Sequence, residues 1–254
     1  YEILVIYWLR KEFKQMKKFA FVMLLLLVFS SFAFAKQFYS SNFENETIGK
    51  PPSGWELGFA GAGNGKVIAD PLNPNNKIFA HTDLAKDKAR HDVGGSIWVV
   101  GDANMTDYIV EYDAYFPEDF YIGVLFRFID SKQFYLLDRR VGNPTTFDFW
   151  KHSNGNWTNI TAGAKYDAVP KLWYRFRLVV KGDSFEAYVK SAADSKPFDK
   201  PFITGKDATY KAGKFGLYGL IYVDNVVIGE TVNDLVITSI APKGKLATTW
   251  GEIK

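Results

Sequence analysis

Glu111, Asp113 and Asp138 are the candidate carboxylates for acid–base chemistry in this chain, and none is compellingly spaced for it. Splitting a sugar acetal takes a nucleophile and a proton donor about 5–5.5 Å apart. The motif Glu111-Tyr-Asp113 is followed by Phe116, Pro117 and Glu118. A second group of side chains suits holding rather than cutting. Trp98, Arg127, Tyr135, Arg139, Trp150 and Trp157 combine flat aromatic rings with planar guanidinium groups. Sugars present apolar C–H faces ringed by hydroxyls, and binding them takes an aromatic platform with a few planar polar groups. Arg127 is the first choice. It falls out of phase with Ile122, Val124, Phe126 and Phe128, so alternation predicts that it leaves the core.

Other chemistries are excluded or unsupported. The chain has no cysteine, which rules out thiol catalysis and Cys-held metals. His81, His91 and His152 are isolated and read as polar loop residues. No Gly-x-Ser-x-Gly elbow occurs. Gly61-Ala-Gly-Asn-Gly65-Lys66 lacks the Ser or Thr and the spacing of a phosphate loop, and reads as a turn.

The elements carrying these residues are strands. Tyr108–Phe116, Ile122–Ile129, Leu172–Val180 and Phe185–Val189 alternate with period two, as strands with one buried face do. Asn154-Gly155 separates Thr146–His152 from Trp157–Thr161 and predicts a tight hairpin. Pro71 and Pro74 mark a loop before Lys77–His81, Ala85–Arg90 has room for one helical turn, and Gly213–Ile221 and Tyr222–Gly229 close the set. For Phe134–Arg140 two readings stay open: Tyr135, Leu137 and Arg139 compete with Phe134, Leu136 and Asp138 for the core. Many strands with short turns predict an all-β fold, a two-sheet antiparallel jelly-roll sandwich.

The first 35 residues stand apart. Met16-Lys-Lys leads into the apolar run Phe19–Phe29, closed by Ala33-Phe-Ala35, which is the order of a cleaved export signal and too short for a comfortable membrane span. The expected organisation is an upstream extension at 1–15 outside the native chain, a signal peptide at 16–35, a sandwich domain at 36–231 and a tail at 232–254. The protein is therefore expected outside the cytoplasm: periplasmic, at the cell surface or extracellular. The net charge of +3 lies wholly in residues 1–35, where five basic side chains face two acidic ones. The remainder is neutral and gives no argument for nucleic acid as a partner.

Phe43-Glu44 with Gly49–Trp55, Asp107–Phe116, Gly123–Asp130 with Gln133–Leu137, Trp173–Gly182, and Gly213–Leu217 with Val223–Val226 follow one another in an order that resembles concanavalin A-like jelly rolls. Among these the chain is most similar to the laminin G-like and 3-keto-disaccharide hydrolase-type domains of exported bacterial proteins. Glu111-Tyr-Asp113 resembles the first half of the catalytic strand of laminarinase-type glucanases, Glu-x-Asp-x-x-Glu, with Phe116 departing from that pattern. The resemblance implies a sandwich and leaves activity open, since the fold hosts lectins, glucanases, lyases and interaction modules. Jelly rolls often tie first strand to last through a hard cation, which makes Glu44, Asn45 and Asp224 the candidate ligands of a structural Ca2+. The leading expectation is an exported carbohydrate-binding domain that holds a glycan on a concave sheet. The alternatives are a glycoside hydrolase of the 3-keto-disaccharide or glucanase type, and a module that recognises a protein partner.

Overall fold

In the computed structural model, residues 13, 14, 16, 17, 36–61, 63–82, 95–119, 122–142 and 145–237 are described. The chain separates at Ala35–Lys36 into two units, and all strands among the described residues belong to the second. In chain order they are β1 (Gln37–Ser41), β2 (Glu56–Phe59), β3 (Asn64–Asp70), β4 (Asn73–Thr82), β5 (Ile97–Val100), β6 (Tyr108–Tyr115), β7 (Ile122–Asp130), β8 (Gln133–Arg140), β9 (Thr146–Ser153), β10 (Asn156–Asn159), β11 (Ala164–Lys165), β12 (Trp173–Lys181), β13 (Ser184–Ser191), β14 (Ile203–Lys206), β15 (Lys214–Tyr218) and β16 (Ile221–Gly229). Pro74 lies inside β4 rather than in a loop before it. The proposed helical turn at 85–90, His91 and the tail beyond 237 lie outside the described residues, as does most of the signal segment. No helix among the described residues is long and apolar enough to cross a membrane.

The strands form two antiparallel sheets. The first runs β14-β13-β12-β6-β16-β4-β3, with β1 also on β16; the second runs β10-β9-β8-β7-β15-β5-β2, with β11 on β9. β16 is the hinge of the first sheet. One edge pairs with β6 along its length, while the other pairs with β4 at Ile221–Val223 and with β1 at Val226–Gly229. The register shifts between Asp224 and Val227, where Asn225 takes a φ of +50°.

The main core lies between the sheets and is aromatic. Phe126, Tyr135 and Phe149 of the second sheet pack on Phe185 of the first, with ring centroids 4.8, 4.8 and 5.9 Å from it. Tyr112 stacks on Phe176 at 5.4 Å and meets Phe215 at 5.6 Å. Such contacts add about 0.5–1.5 kcal/mol per pair beyond area burial. In this way a chain without disulfides holds its sheets together. The Asn154-Gly155 turn forms as expected, with both residues at positive φ, 51° and 87°. It sets the β9–β10 register, so that Trp157 stands opposite His152 and Asn159 opposite Trp150.

Alternation breaks down at one place that matters. Arg127 has a φ of +47°, and the pairing of β7 with β8 slips between Phe126 and Asp130. This bulge turns Arg127 inward, where only 1 % of it is exposed. β15 runs hard against the bulge: a Cβ on Gly213, at φ +147°, would lie 2.4 Å from the Arg127 carbonyl carbon.

Candidate functional site

The second sheet buries a smaller apolar cluster on the face turned away from the main core. Ile97, Val99, Leu125, Phe128, Phe134, Leu136 and Tyr218 form it, with Phe59, Trp150 and Trp157 packed against them. β8 therefore turns Phe134, Leu136, Asp138 and Arg140 to this outer face, and Tyr135, Leu137 and Arg139 inward. β9 adds Asp148, Trp150 and His152, and β10 adds Trp157 and Asn159, which the pairing places in adjoining rows.

The polar groups on this face have unequal surroundings. Asp148 accepts from Asn159 Nδ2 at 3.2 Å, and its Oδ2 lies 3.8 Å from Arg140 Nη1. Arg140 also lies over the Trp150 ring, 5.2 Å from its centroid. Asp138 stands directly opposite Asp148 yet differs from it. It is 7 % exposed, and its Oδ1 has no hydrogen-bond partner. Burial pushes its carboxyl well above the ordinary range; Asp148 adds to this, while Arg140 and Arg139 oppose it. The indole N–H groups of Trp150 and Trp157 are likewise buried without an acceptor. Buried polar atoms are normally paired, so three unpaired ones on one face call for an explanation. Trp157 meets His152 at 4.6 Å and Phe134 at 5.7 Å, which holds its ring against the sheet.

Of the six residues expected to hold a ligand, Trp150 and Trp157 share this face. The other four are corrected in position. Trp98 packs in the core against Phe79 at 6.3 Å. The Arg127 guanidinium donates to the carbonyls of Thr106 and Tyr210, each at 2.9 Å. The Tyr135 hydroxyl donates to Asp207 Oδ1 at 2.6 Å and accepts from the Tyr210 amide at 2.9 Å. Arg139 donates to the Ala168 carbonyl at 2.7 Å and to Asp119 at 2.9 Å. These inward arginines tie loops to the sheet. The sequence reading passed over Asp148, Arg140 and Asn159. Their signal was available in the hairpin: once Asn154-Gly155 fixes the register, Asn159 must face Trp150, and Asp148 lies on the same side two residues earlier.

The three candidate carboxylates divide between opposite faces of the sandwich. Asp113 makes a two-point ion pair with Arg175 at 2.6 and 2.6 Å, and Glu111 accepts from Arg177 Nε at 2.6 Å, both on the outer face of the first sheet. Asp138 lies on the outer face of the second. Glu111 and Asp113 are thus tied into ion pairs and cannot act together with Asp138.

Two of the expected cation ligands have protein partners. Glu44 Oε1 accepts from the Lys77 amide at 3.1 Å, and Asp224 Oδ2 accepts from Asn76 Nδ2 at 3.0 Å. Asn45 is exposed. The Lys77 ammonium donates to the Glu44 and Glu46 carbonyls at 3.0 and 2.7 Å. Among the described residues no group of three or more His, Cys, Asp or Glu is arranged to hold a metal ion.

No protein-family profile matches the chain, and no curated protein does. Solved structures share its fold. A GH43 protein, BlXynB of Bacillus licheniformis, aligns at 11 % identity and a TM-score of 0.50, over 76 % of this chain and 39 % of that one. The carbohydrate-binding module CBM66 of Bacillus subtilis aligns at 20 % identity and a TM-score of 0.45, over 69 % of this chain and 91 % of the module. Domain 4 of AbnA, a GH43 extracellular arabinanase of Geobacillus stearothermophilus solved with arabinotriose, aligns at 13 % identity and a TM-score of 0.48, over 79 % and 97 %. This chain spans well under half of BlXynB.

Proposed function

We propose that this protein is an exported carbohydrate-binding domain that holds a glycan on the outer face of its second sheet. The observation that carries the reading is the grouping of Trp150 and Trp157 with Asp138, Asp148, Arg140 and Asn159 on one face, with three buried polar atoms lacking partners. Aromatic rings supply platforms for the sugar's C–H faces, and the carboxylates, amide and indole N–H groups match its hydroxyls. The lysine-led apolar run at 16–35 supports export. The AbnA domain solved with arabinotriose and the CBM66 module name the kind of ligand to try first. A glycan array probed with the full chain tests the proposal. Selective binding to one glycan class, weakened at least tenfold by Trp150→Ala and by Trp157→Ala, is expected. Binding that survives both substitutions unchanged would move the site elsewhere.

One observation favours glycoside hydrolysis as a second reading. Asp138 and Asp148 are a cross-strand carboxyl pair, one desolvated and one hydrogen-bonded, which is the division of labour between acid and carboxylate in such enzymes. Release of reducing sugar from the bound glycan, abolished by either Asp→Asn change, would establish it.

A further inference from the structure

Among the described residues, Asp138 is the one carboxylate on the outer face of the second sheet with a buried oxygen that has no hydrogen-bond partner. Asp148 opposite it is already held by Asn159 and Arg140, and Arg140 is itself spread over Trp150. Positive charge on this face stands at the β8–β9–β11 edge, where Arg140 and the exposed Lys165 flank Thr146, and at Lys214 of β15, which is paired with Glu56. In the other direction Gly123 lies opposite Asp138, and Tyr218 lies opposite Gly123. No cationic side chain stands on those two strand positions. A ligand group reaching Asp138 therefore meets an acceptor that needs a donor, beside a second acidic side chain.

We infer that Asp138 sets the glycan class: the face takes a neutral sugar that brings free hydroxyl donors to Asp138 and Asp148, and it rejects sugars that bring a carboxylate there. This rests on the carbohydrate-binding reading above and narrows it. A hydroxyl donates into the free Oδ1, and the carboxyl keeps acceptor capacity in either protonation state. Directly opposed strand residues have Cβ atoms about 4.5–5.5 Å apart, so hydroxyls on neighbouring ring carbons can engage both aspartates at once. The carboxylate of an ionised uronate offers only acceptors, so placed here it gives Asp138 Oδ1 no donor and sets its charge in a desolvated contact beside Asp148. Sites built to hydrogen-bond a hydroxyl reject ligands lacking it far more sharply than apolar pockets reject a missing methylene.

The test is calorimetry at pH 7 on the full chain with matched probes: neutral arabino-, xylo- and gluco-oligosaccharides against oligogalacturonate and oligoglucuronate of the same length. Neutral probes are expected to bind at least tenfold tighter than uronates. Asp138→Asn keeps the shape and sets an amide donor where the carboxyl accepts, and should reduce that ratio at least fivefold. Trp150→Ala should weaken all bound probes and leave the ratio unchanged. Uronates bound as well as or better than neutral probes by the unsubstituted chain would overturn the inference while leaving glycan binding intact, as would a ratio unmoved by Asp138→Asn. Folded protein that binds no probe of either class would overturn the binding reading and this inference together. The wild-type ratio keeps the test decisive even if Asp138→Asn fails to fold.

Discussion

Asp138 and Asp148 are paired residue for residue across β8 and β9, yet only Asp148 has its oxygens held, by Asn159 at 3.2 Å and Arg140 at 3.8 Å. The difference has consequences for stability as well as binding. Burial raises the Asp138 carboxyl above its unfolded value, so the folded state retains a proton that the unfolded chain gives up. The stabilising effect of that proton is fully present below about pH 4 and is lost as pH rises through the folded pKa. Asp138→Asn removes this dependence. Thermal melts should show the variant gaining about 1 kcal/mol or more over the parent at pH 7.5, or roughly 2–4 °C, and little at pH 3.5. An equal difference at both pH values would mean that the carboxyl is not desolvated.

Arg127 has changed roles, from expected ligand contact to internal strut. Replacing it with Met leaves the Thr106 and Tyr210 carbonyls without their guanidinium donor. Hydrogen bonds to charged groups are worth about 1.5–3 kcal/mol, so Arg127→Met should cost about 2–4 kcal/mol in denaturant unfolding. Glycan affinity of the folded fraction should stay within twofold of the parent. A large loss of affinity at unchanged stability would restore Arg127 to the binding face.

Asp207 joins the β14–β15 connection to the second sheet. Burial alone would raise its carboxyl. Donors from Lys151 at 2.7 Å, the Thr209 amide at 2.8 Å and Tyr135 at 2.6 Å outweigh that and hold it well below the usual carboxylate range. The stabilisation is therefore present above about pH 4 and is lost as pH falls below it. Asp207→Asn should destabilise by about 1 kcal/mol at pH 7, allowing for solvent screening of a partly exposed group, and the deficit should shrink toward pH 2–3. Urea titrations at pH 7 and pH 3 make the comparison; a deficit that grows in acid would refute it.

Gly213 lets β15 approach the Arg127 bulge at a φ that suits glycine. Gly213→Ala should lower stability by about 1–3 kcal/mol, read as a fall in Tm. A neutral substitution would show that the bulge yields at little cost.

Much of the architecture was legible because burial of one strand face imposes a period of two. Tyr108–Phe116 and the Asn154-Gly155 hairpin formed as that period and that turn require, and the two-sheet antiparallel sandwich followed. The site was only half legible. Trp150 and Trp157 do share one face, but Arg127 was placed on the wrong side because alternation assumes an unbroken strand, and nothing local in Phe126-Arg127-Phe128 announces a bulge. β8 left two faces open because this sheet is apolar on both sides: Phe134 and Leu136 are as buried as Tyr135 and Leu137. Where both faces are dry, periodicity cannot say which is the interior. The partner strands decide, and they lie outside any local window.

Synthesis runs from the amino end, and β16 comes last among the strands of the described residues. Until residue 229 exists, β1 has no strand to join, β4 has β3 alone, and β6 lacks one of its two neighbours. The first sheet therefore cannot close on a growing chain, and its assembly must wait for the final strand. Loss of the last tens of residues from this domain would open three strand edges at once, so a truncated product is one for proteases and self-association rather than a smaller working domain.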